Sequence, residues 1–262
     1  MNILAIISSN RKRGHTSKIV SILKEQVEKI TKKNQDIFKF ETIFLGDFEI
    51  NHCKGCRTCI DHGEELCPWK DDVPLIKSKI KEANAIIFAS PVYVGDVSSS
   101  MKALLDRLAY MCHRQEFYKK CIMILATTNA TSLKRTIHTI SASTFSWGSR
   151  LVATKGFKTF SSNDSRDILN NRYHKKISKL ARKLYSGIKN KIYLKPSMIS
   201  LAVFKLQQKH RADPELSSTI DYKYWKKQGW TNPKNTYYID HNTGLTKIFF
   251  SKILYGILSL IF

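Results

Sequence analysis

The beginning of the chain decides the fold, and residues 2–17 read NILAIISSNRKRGHTS. Residues 2–8 form a nearly continuous apolar run, which is typical of a strand buried on both faces of a parallel sheet. A polar, basic loop follows. From Thr16 to Ile30 apolar residues then recur at helical spacing, and Thr16 or Ser17 can cap this helix. The stretch therefore predicts a strand, a loop and a helix.

The same alternation of strands and helices continues through residues 38–189. Because strands that alternate with helices form right-handed crossovers, the pattern predicts an α/β fold with a doubly wound parallel sheet. Five strands fit the flavodoxin-like order 2-1-3-4-5, in which ligands bind beyond the carboxyl ends of the strands. The predicted strands span residues 2–8, 38–45, 83–89, 121–126 and 151–160, and the predicted helices span residues 16–30, 74–82, 98–110 and 167–189.

The loop after the first predicted strand has the features of an anion site. A helix N-terminus presents free backbone N–H groups and a partial positive charge. Ser9, Thr16 and Ser17 supply hydroxyl donors. Arg11 supplies a charge-assisted contact and Gly14 permits a tight backbone approach. The loop lacks the glycine patterns of dinucleotide-binding proteins and of NTPases. It predicts a phosphate site, with a plain strand-to-helix turn as the alternative.

Four of the six cysteines fall within fifteen residues, at Cys53, Cys56, Cys59 and Cys67. Structural zinc usually takes two separated ligand pairs, whereas three cysteines at two-residue gaps with a fourth nearby resemble an iron–sulfur ligand run. The spacing predicts a [4Fe-4S] cluster. Zinc, another thiophilic metal, and reactive or structural thiols are the alternatives. Cys112 and Cys121 are predicted to be small buried apolar residues.

The formal net charge of +23 indicates an anionic partner or a lysine-rich composition without a specific role. The partner classes are nucleic acid, an anionic membrane face and small anionic ligands. No nucleic-acid-binding signature accompanies the lysines, so nucleic acid is disfavoured. The N-terminus lacks a secretory pattern, and a cytoplasmic location is expected.

Three motifs in order carry a resemblance to a known family. Ser8 to Thr16 reads SSNRKRGHT, where the family has G-S-P-R-x-x-G-N-T. The four cysteines lead to Asp71-Asp72, as in its C-x-x-C-x-x-C…C segment. Its S-P-x-Y and K-x-x-x-D-R motifs stand here as Ser90 to Tyr93 and as Lys102, Asp106 and Arg107. Over about residues 1–189 the chain resembles the NADPH-dependent FMN reductase and iron–sulfur flavoprotein group of the flavodoxin superfamily.

The resemblance implies an FMN-dependent oxidoreductase that is driven by NAD(P)H or by a redox partner. It places the FMN phosphate on Ser9, Arg11, Thr16 and Ser17 and the flavin ring against residues 91–95, with the cysteine loop near a flavin of a homodimer or homotetramer. An electron carrier of the flavodoxin or ferredoxin type, without a substrate site, is the first alternative. The full set of expected cofactor-binding residues is Ser9, Asn10, Arg11, Gly14, His15, Thr16, Ser17, Pro91, Val92, Tyr93, Val94, Gly95 and Thr127.

Residues 190–262 differ in character from the flavodoxin-like part, residues 1–189. They are rich in Tyr, Trp and Lys and end in an apolar segment, residues 245–262. We expect a C-terminal extension with a helix that packs on the domain or across a dimer. A second interpretation is an interfacial helix that brings the protein to an anionic membrane, and a flavin-less membrane-surface module is the corresponding alternative function.

Overall fold

A five-stranded, all-parallel sheet in the order β2-β1-β3-β4-β5 forms the centre of the protein. The computed structural model describes residues 1–130, 132–161 and 164–260. β3 and β4 are buried along their whole length, as their apolar runs predict. The predicted fold and strand order are confirmed. The strands are β1 (Asn2–Ile7), β2 (Lys39–Phe44), β3 (Ala85–Pro91), β4 (Cys121–Thr128) and β5 (Arg150–Lys158).

Helices cover both faces of this sheet. The helices of the described chain are α1 (His15–Lys33), α2 (Thr58–Asp61), α3 (Val73–Glu82), α4 (Ser99–Arg107), α5 (Leu133–Ser146), α6 (Arg166–Lys189), α7 (Met198–Arg211), α8 (Ile220–Lys227) and α9 (Leu245–Leu258), of which α7 to α9 belong to the C-terminal extension. Along β1, Ile3 and Ile7 pack with α1 and α6, whereas Leu4 and Ile6 pack with α3, α4 and α5. The alternation of side chains along each strand therefore divides the core into two layers.

The helix α5 was not predicted from the sequence. Its residues are rich in Ser and Thr, whose side chains compete for backbone hydrogen bonds and lower helix propensity. Thr144 Oγ1 donates to Ile140 O at 2.9 Å and Ser143 Oγ donates to Thr139 O at 3.1 Å. Ile140 is fully buried against the sheet, so tertiary packing stabilises a helix that the local sequence disfavours.

The C-terminal extension is folded around an aromatic cluster of its own. Phe204 and Trp225 stack with ring centroids 5.7 Å apart, and Trp230 packs edge-on against Trp225. Trp225 Nε1 donates to His113 O at 2.8 Å, which ties the extension to the sheet domain. Within the described residues no helix is long and apolar enough to cross a membrane. Ile261 and Phe262, the end of the predicted apolar segment, lie outside the described residues.

Candidate functional site

The loops after β1, β3 and β4 meet at one rim of the sheet. Ser8 N donates to Ala89 O at 3.0 Å, which joins the first loop to β3. The buried hydroxyls of Thr16 and Thr127 are hydrogen-bonded at 2.7 Å across 111 residues of sequence. Val92 N donates to Thr127 O at 2.9 Å. The structure therefore brings together the three segments that the sequence placed at a cofactor site.

The start of α1 leaves backbone donors free at this rim. Its N-cap residue is Gly14, which has no side chain to accept their hydrogen bonds, and its first turn contains no acidic residue. Among the described residues, the N–H groups of His15, Thr16 and Ser17 find no acceptor. A Cβ on Gly14 would lie 3.0 Å from Arg11 O, so the tight turn favours glycine. Free donors at a helix N-terminus fit a phosphate group.

Some side chains around the α1 N-terminus already have a partner, and others are free to bind an anion. Lys12 pairs with Asp47 at 2.8 Å, and Lys18 Nζ donates to Asp164 O at 2.8 Å. Arg11 is exposed and forms no ion pair with a described residue. Ser9 is buried, and its Oγ accepts from Arg11 N at 3.2 Å. Arg11 and Arg13, which is likewise exposed and unpaired among the described residues, are therefore the cations of this group that remain open to an anion, and Arg11 is the one whose backbone is tied to the Ser9 hydroxyl.

His15 and Asn10 complete the loop in different ways. Burial lowers the pKa of His15, and the nearby charge of Lys18 lowers it further. Its Nε2 is buried and has no partner among the described residues. Asn10 packs on Gly46 in the loop after β2, where an added Cβ would lie 2.6 Å from Asn10 Oδ1. These effects favour the neutral ring of His15, and Asn10 lies against the loop after β2.

A tight turn after β3 presents exposed side chains to the same rim. Tyr93 and Asp96 exchange backbone hydrogen bonds at 2.9 and 3.0 Å, and Val94 and Gly95 between them have φ values of 48° and 83°. Thr139 Oγ1 donates to the Asp96 carboxylate at 2.9 Å and anchors the turn to α5. Tyr93 is half-exposed and Val94 is fully exposed. A flat ring system can pack on such a surface.

The four cysteines of the loop line one cavity of about 550 Å³, together with Trp69, Arg107 and Tyr110. Gly55 and Arg57 adopt left-handed φ values of 66° and 62°, which turn the chain back between the thiols. Cys53 and Cys56 are exposed, and Cys59 and Cys67 are partly buried. No three His, Cys, Asp or Glu side chains of the described residues converge on a single metal position. The four thiols therefore line the wall of one cavity and do not converge on one common position.

Charges from neighbouring elements act on these thiols. Burial raises the pKa of Cys59, and the nearby thiols of Cys53 and Cys67 raise it further. A hydrogen bond with Thr58 lowers the pKa of Cys56. Arg107 Nη2 lies 3.6 Å from Cys67 Sγ. The cavity therefore has a cation ready to offset thiolate charge.

Arg107 is itself held by a buried ion pair with Asp71. Their side chains are 4% and 0% exposed. Burial alone would raise the pKa of Asp71, but hydrogen bonds from Arg107, Asn51 and Val73 lower it below its usual value. Arg107 Nη1 also donates to Asn51 O at 3.1 Å, which ties down the start of the cysteine loop.

A second arginine, Arg114, also holds the cysteine loop. It donates through Nη2 to Cys59 O and through Nη1 to Ile60 O. Its partner is Asp221 of α8, at 2.5 Å and 107 residues along the chain. Sequence analysis missed this pair, because neither residue stands in a motif and their contact exists only in the folded chain.

The sequence profile of NADPH-dependent FMN reductases matches residues 1–154, more than half of the chain. The chain belongs to this family. As a member of the FMN reductase family it is a flavin oxidoreductase that uses FMN, and the uncapped start of α1 fits the phosphate of that cofactor.

Individual relatives agree with this assignment. The chain is 27% identical to an iron–sulfur flavoprotein of Archaeoglobus fulgidus over 239 residues, which are 88% of this chain and 100% of the relative. It is 40% identical to one of Methanocaldococcus jannaschii over 107 residues, 41% of this chain and 51% of that protein. RosB, in a crystal structure with bound 8-demethyl-8-formylriboflavin-5'-phosphate, superposes with a TM-score of 0.54 at 15% identity, covering 92% of this chain and 91% of RosB. That likeness shows a shared fold.

In this member of the FMN reductase family, α4 separates the rim from the cysteine cavity. At its start, Ser98 Oγ and Ser100 Oγ both donate to Ser8 O at 3.2 Å. At its end, Arg107 contacts Cys67. The nine residues of α4 rise about 12 Å. Within one chain, the two candidate sites therefore lie at opposite ends of one helix.

Proposed function

We propose that this flavin oxidoreductase carries a [4Fe-4S] cluster on Cys53, Cys56, Cys59 and Cys67 and transfers electrons between NAD(P)H and a redox partner or small acceptor. The single observation that carries the proposal is the shared cavity into which all four thiols open. Thiolates are the ligands of such clusters, and Arg107 offers the positive charge that a thiolate-ligated cluster favours. The curated relatives named iron–sulfur flavoproteins support it.

The proposal assigns the FMN phosphate to the start of α1. The N–H groups of His15, Thr16 and Ser17, the Ser9 hydroxyl and the Arg11 guanidinium are its donors. The turn at residues 91–95 would support one side of the ring, and Thr127 holds the hydroxyl of Thr16 in the first turn of α1, where the phosphate would bind. Bound FMN supplies hydride acceptance and single-electron release. RosB, which shares the fold, was crystallised with a riboflavin 5'-phosphate derivative.

The polypeptide's own contribution is positioning rather than acid–base chemistry. The rim residues bind an anion and a flat ring, and we assign no side chain as a proton donor or acceptor. The cluster would handle one electron at a time. Because α4 separates the FMN site from the cysteine loop within one chain, we also propose a homodimer or homotetramer. In it, the cysteine loop of one copy would lie nearer to the FMN site of another, which would shorten the path of the electrons.

The test is anaerobic purification of the full chain, reconstitution with iron and sulfide, and quantification of FMN, iron and sulfide. We expect about one FMN with about four iron and four sulfide per chain. Cys59→Ala is expected to lose the iron and sulfide and keep FMN. Cys112→Ala, a thiol outside the cavity, is the matched control and should keep all three.

Turnover of NADH and of NADPH with an artificial acceptor separates a reductase from an electron carrier. A reductase oxidises one or both continuously, whereas a carrier is reduced only by a partner. Retention of about one metal ion per chain without sulfide would instead assign the cysteines to zinc or another single metal.

A further inference from the structure

The last described helix, α9, has two apolar faces but only one is covered. Ile248, Ser251 and Leu258 belong to the covered face, which packs on α7, and Ser251 is buried. One face of α9 is therefore covered by another helix of the extension, and the expected packing of this helix on residues 1–189 or across a dimer stays a prediction. A helix that is apolar all round is normally buried on all sides.

The other face of α9 is an exposed apolar stripe, which we define as Leu245, Phe249, Ile253, Ile257 and Leu260. These residues follow one another at intervals of four, four, four and three positions, so they lie on one side of the helix. They are 84%, 60%, 49%, 54% and 88% exposed. Phe250 beside them is 56% exposed. A contiguous stripe of this kind marks an interaction surface rather than scattered exposed residues.

The charges around the stripe are almost entirely positive. Within α9 the charged residues are Lys247 and Lys252, and no acidic residue accompanies them. Ser259, directly after the helix, shares a surface cavity with Lys209, His210 and Arg211 of α7 and with one acidic residue, Asp213. Residues 190–262 contain eleven Lys and Arg against four Asp and Glu. A partner for this surface must accept apolar side chains and also carry negative charge.

We propose that α9 docks the folded protein on an anionic membrane surface, with the apolar stripe inserted among the lipids and the surrounding basic residues facing the headgroups. Large apolar side chains beside lysines are the composition of interfacial helices. The positive charge is attracted to anionic lipid. Pairing of two copies through this stripe is disfavoured, because Lys247 and Lys252 of one copy would face the same lysines of the other with no acidic residue of α9 between them. The proposal does not depend on the cofactor content of the protein.

The test is flotation of the full chain with vesicles of phosphatidylcholine alone and of phosphatidylcholine with phosphatidylglycerol. We expect binding to the anionic vesicles, weakened by salt, and little binding to the neutral ones. The double variant Phe249→Ser/Ile253→Ser should lower the partition coefficient about tenfold or more. Ile37→Ser, which changes a 90% exposed isoleucine before β2, is the matched control and should bind like the wild type.

A second variant and a mass measurement keep the test decisive. Lys247→Gln/Lys252→Gln should weaken binding to anionic vesicles about fivefold per lysine and leave the molar mass unchanged. Absence of binding to anionic vesicles, or equal and salt-insensitive binding to both kinds, would overturn the proposal. So would a change in the molar mass of Phe249→Ser/Ile253→Ser in analytical ultracentrifugation with unchanged vesicle binding, because the stripe would then join two copies.

Discussion

The phosphate loop, residues 8–17, and the cysteine loop, residues 53–67, follow neighbouring strands but are held in place by different forces. The first is fixed by backbone and hydroxyl contacts among β1, β3 and β4, such as the buried pair of Thr16 and Thr127. The second has two exposed and two partly buried thiols, and positive φ values at Gly55, Arg57 and Gly63. Its anchors are side chains from outside the loop: Lys77 of α3 and Arg114 pair with Glu64 of the loop, and Arg107 of α4 contacts Cys67.

This difference separates a candidate anion site whose groups are positioned by the sheet itself from a loop that other elements position. Hydroxyl and N–H groups at the rim are close in the fold whenever the sheet forms. The thiols depend on Arg107 and Arg114, whose partners Asp71 and Asp221 must be buried with them. We therefore expect substitutions that affect the two loops to have effects of different size, and to change stability in one case and FMN binding in the other.

The largest expected effect follows the loss of the buried pair beneath the cysteine loop. Arg107→Met leaves the fully buried Asp71 carboxylate without its counter-ion, which should lower the free energy of unfolding by about 3–5 kcal/mol. Urea denaturation measures this. Lys102→Ala removes the exposed pair with Asp106 on the same helix and should cost at most about 0.5 kcal/mol. Similar losses for both variants would contradict the burial argument.

Loss of the ion pair between Asp221 of the extension and Arg114 is expected to lower the free energy of unfolding somewhat less. Asp221→Asn leaves Arg114 buried without a full counter-charge, and the free energy of unfolding should fall by about 2–4 kcal/mol. Alkylation of Cys59 in the metal-free protein should also become faster. Without the Asp221 carboxylate, Arg114 is held less firmly and no longer fixes the backbone carbonyl of Cys59. Asp240→Asn, an exposed change in the same extension, is the control. An unchanged alkylation rate would show that the extension does not position the loop.

At the phosphate loop we expect a binding effect rather than a loss of stability. Arg11→Ala removes a charge-assisted hydrogen bond and should weaken FMN binding about tenfold, measured by fluorescence titration of the flavin-free protein. Arg13→Ala removes an equally exposed cation two residues away and should change the dissociation constant little. Equal weakening by both would mean that only the net charge of the loop matters.

Acid should affect the cysteine loop through Asp71. Its pKa is lower in the folded protein than in the unfolded chain, so its stabilisation is complete above the usual carboxyl range and is lost as the pH falls through the folded value. Each unit of difference is worth about 1.4 kcal/mol. Urea denaturation between pH 6 and pH 3 should show this loss in the wild type. The loss should be smaller in Asp71→Asn, and equal slopes would assign the acid sensitivity to other carboxylates.

The smallest expected effect comes from the hydroxyl pair at the rim. Thr127→Val leaves the buried Thr16 hydroxyl without its partner and should lower the free energy of unfolding by about 1 kcal/mol. Thr42→Val, at an exposed position of β2, is the control for the substitution itself. If Thr127→Val lowered the free energy of unfolding as much as Arg107→Met, the contacts at the rim would be as sensitive to substitution as those of the cysteine loop.

The amino-acid sequence by itself determined the sheet and the chemical identity of the two candidate sites. Apolar runs such as residues 2–8 specify strands buried on both faces, and the order of strands and helices then specifies the parallel sheet. The spacing of Cys53, Cys56, Cys59 and Cys67 identified a thiol site, and the polar loop before α1 identified an anion site. Their roles in binding FMN and a cluster stay predictions.

Only the tertiary structure decided what surrounds those residues. Arg114 and Asp221 meet because the extension folds back on the sheet domain, and α5 forms because Ile140 is buried there. Ile253 is exposed and Leu254 is partly covered although both are apolar neighbours in the sequence. Sequence patterns report the preferences of single segments, whereas buried ion pairs and uncovered faces depend on which segments come together in space.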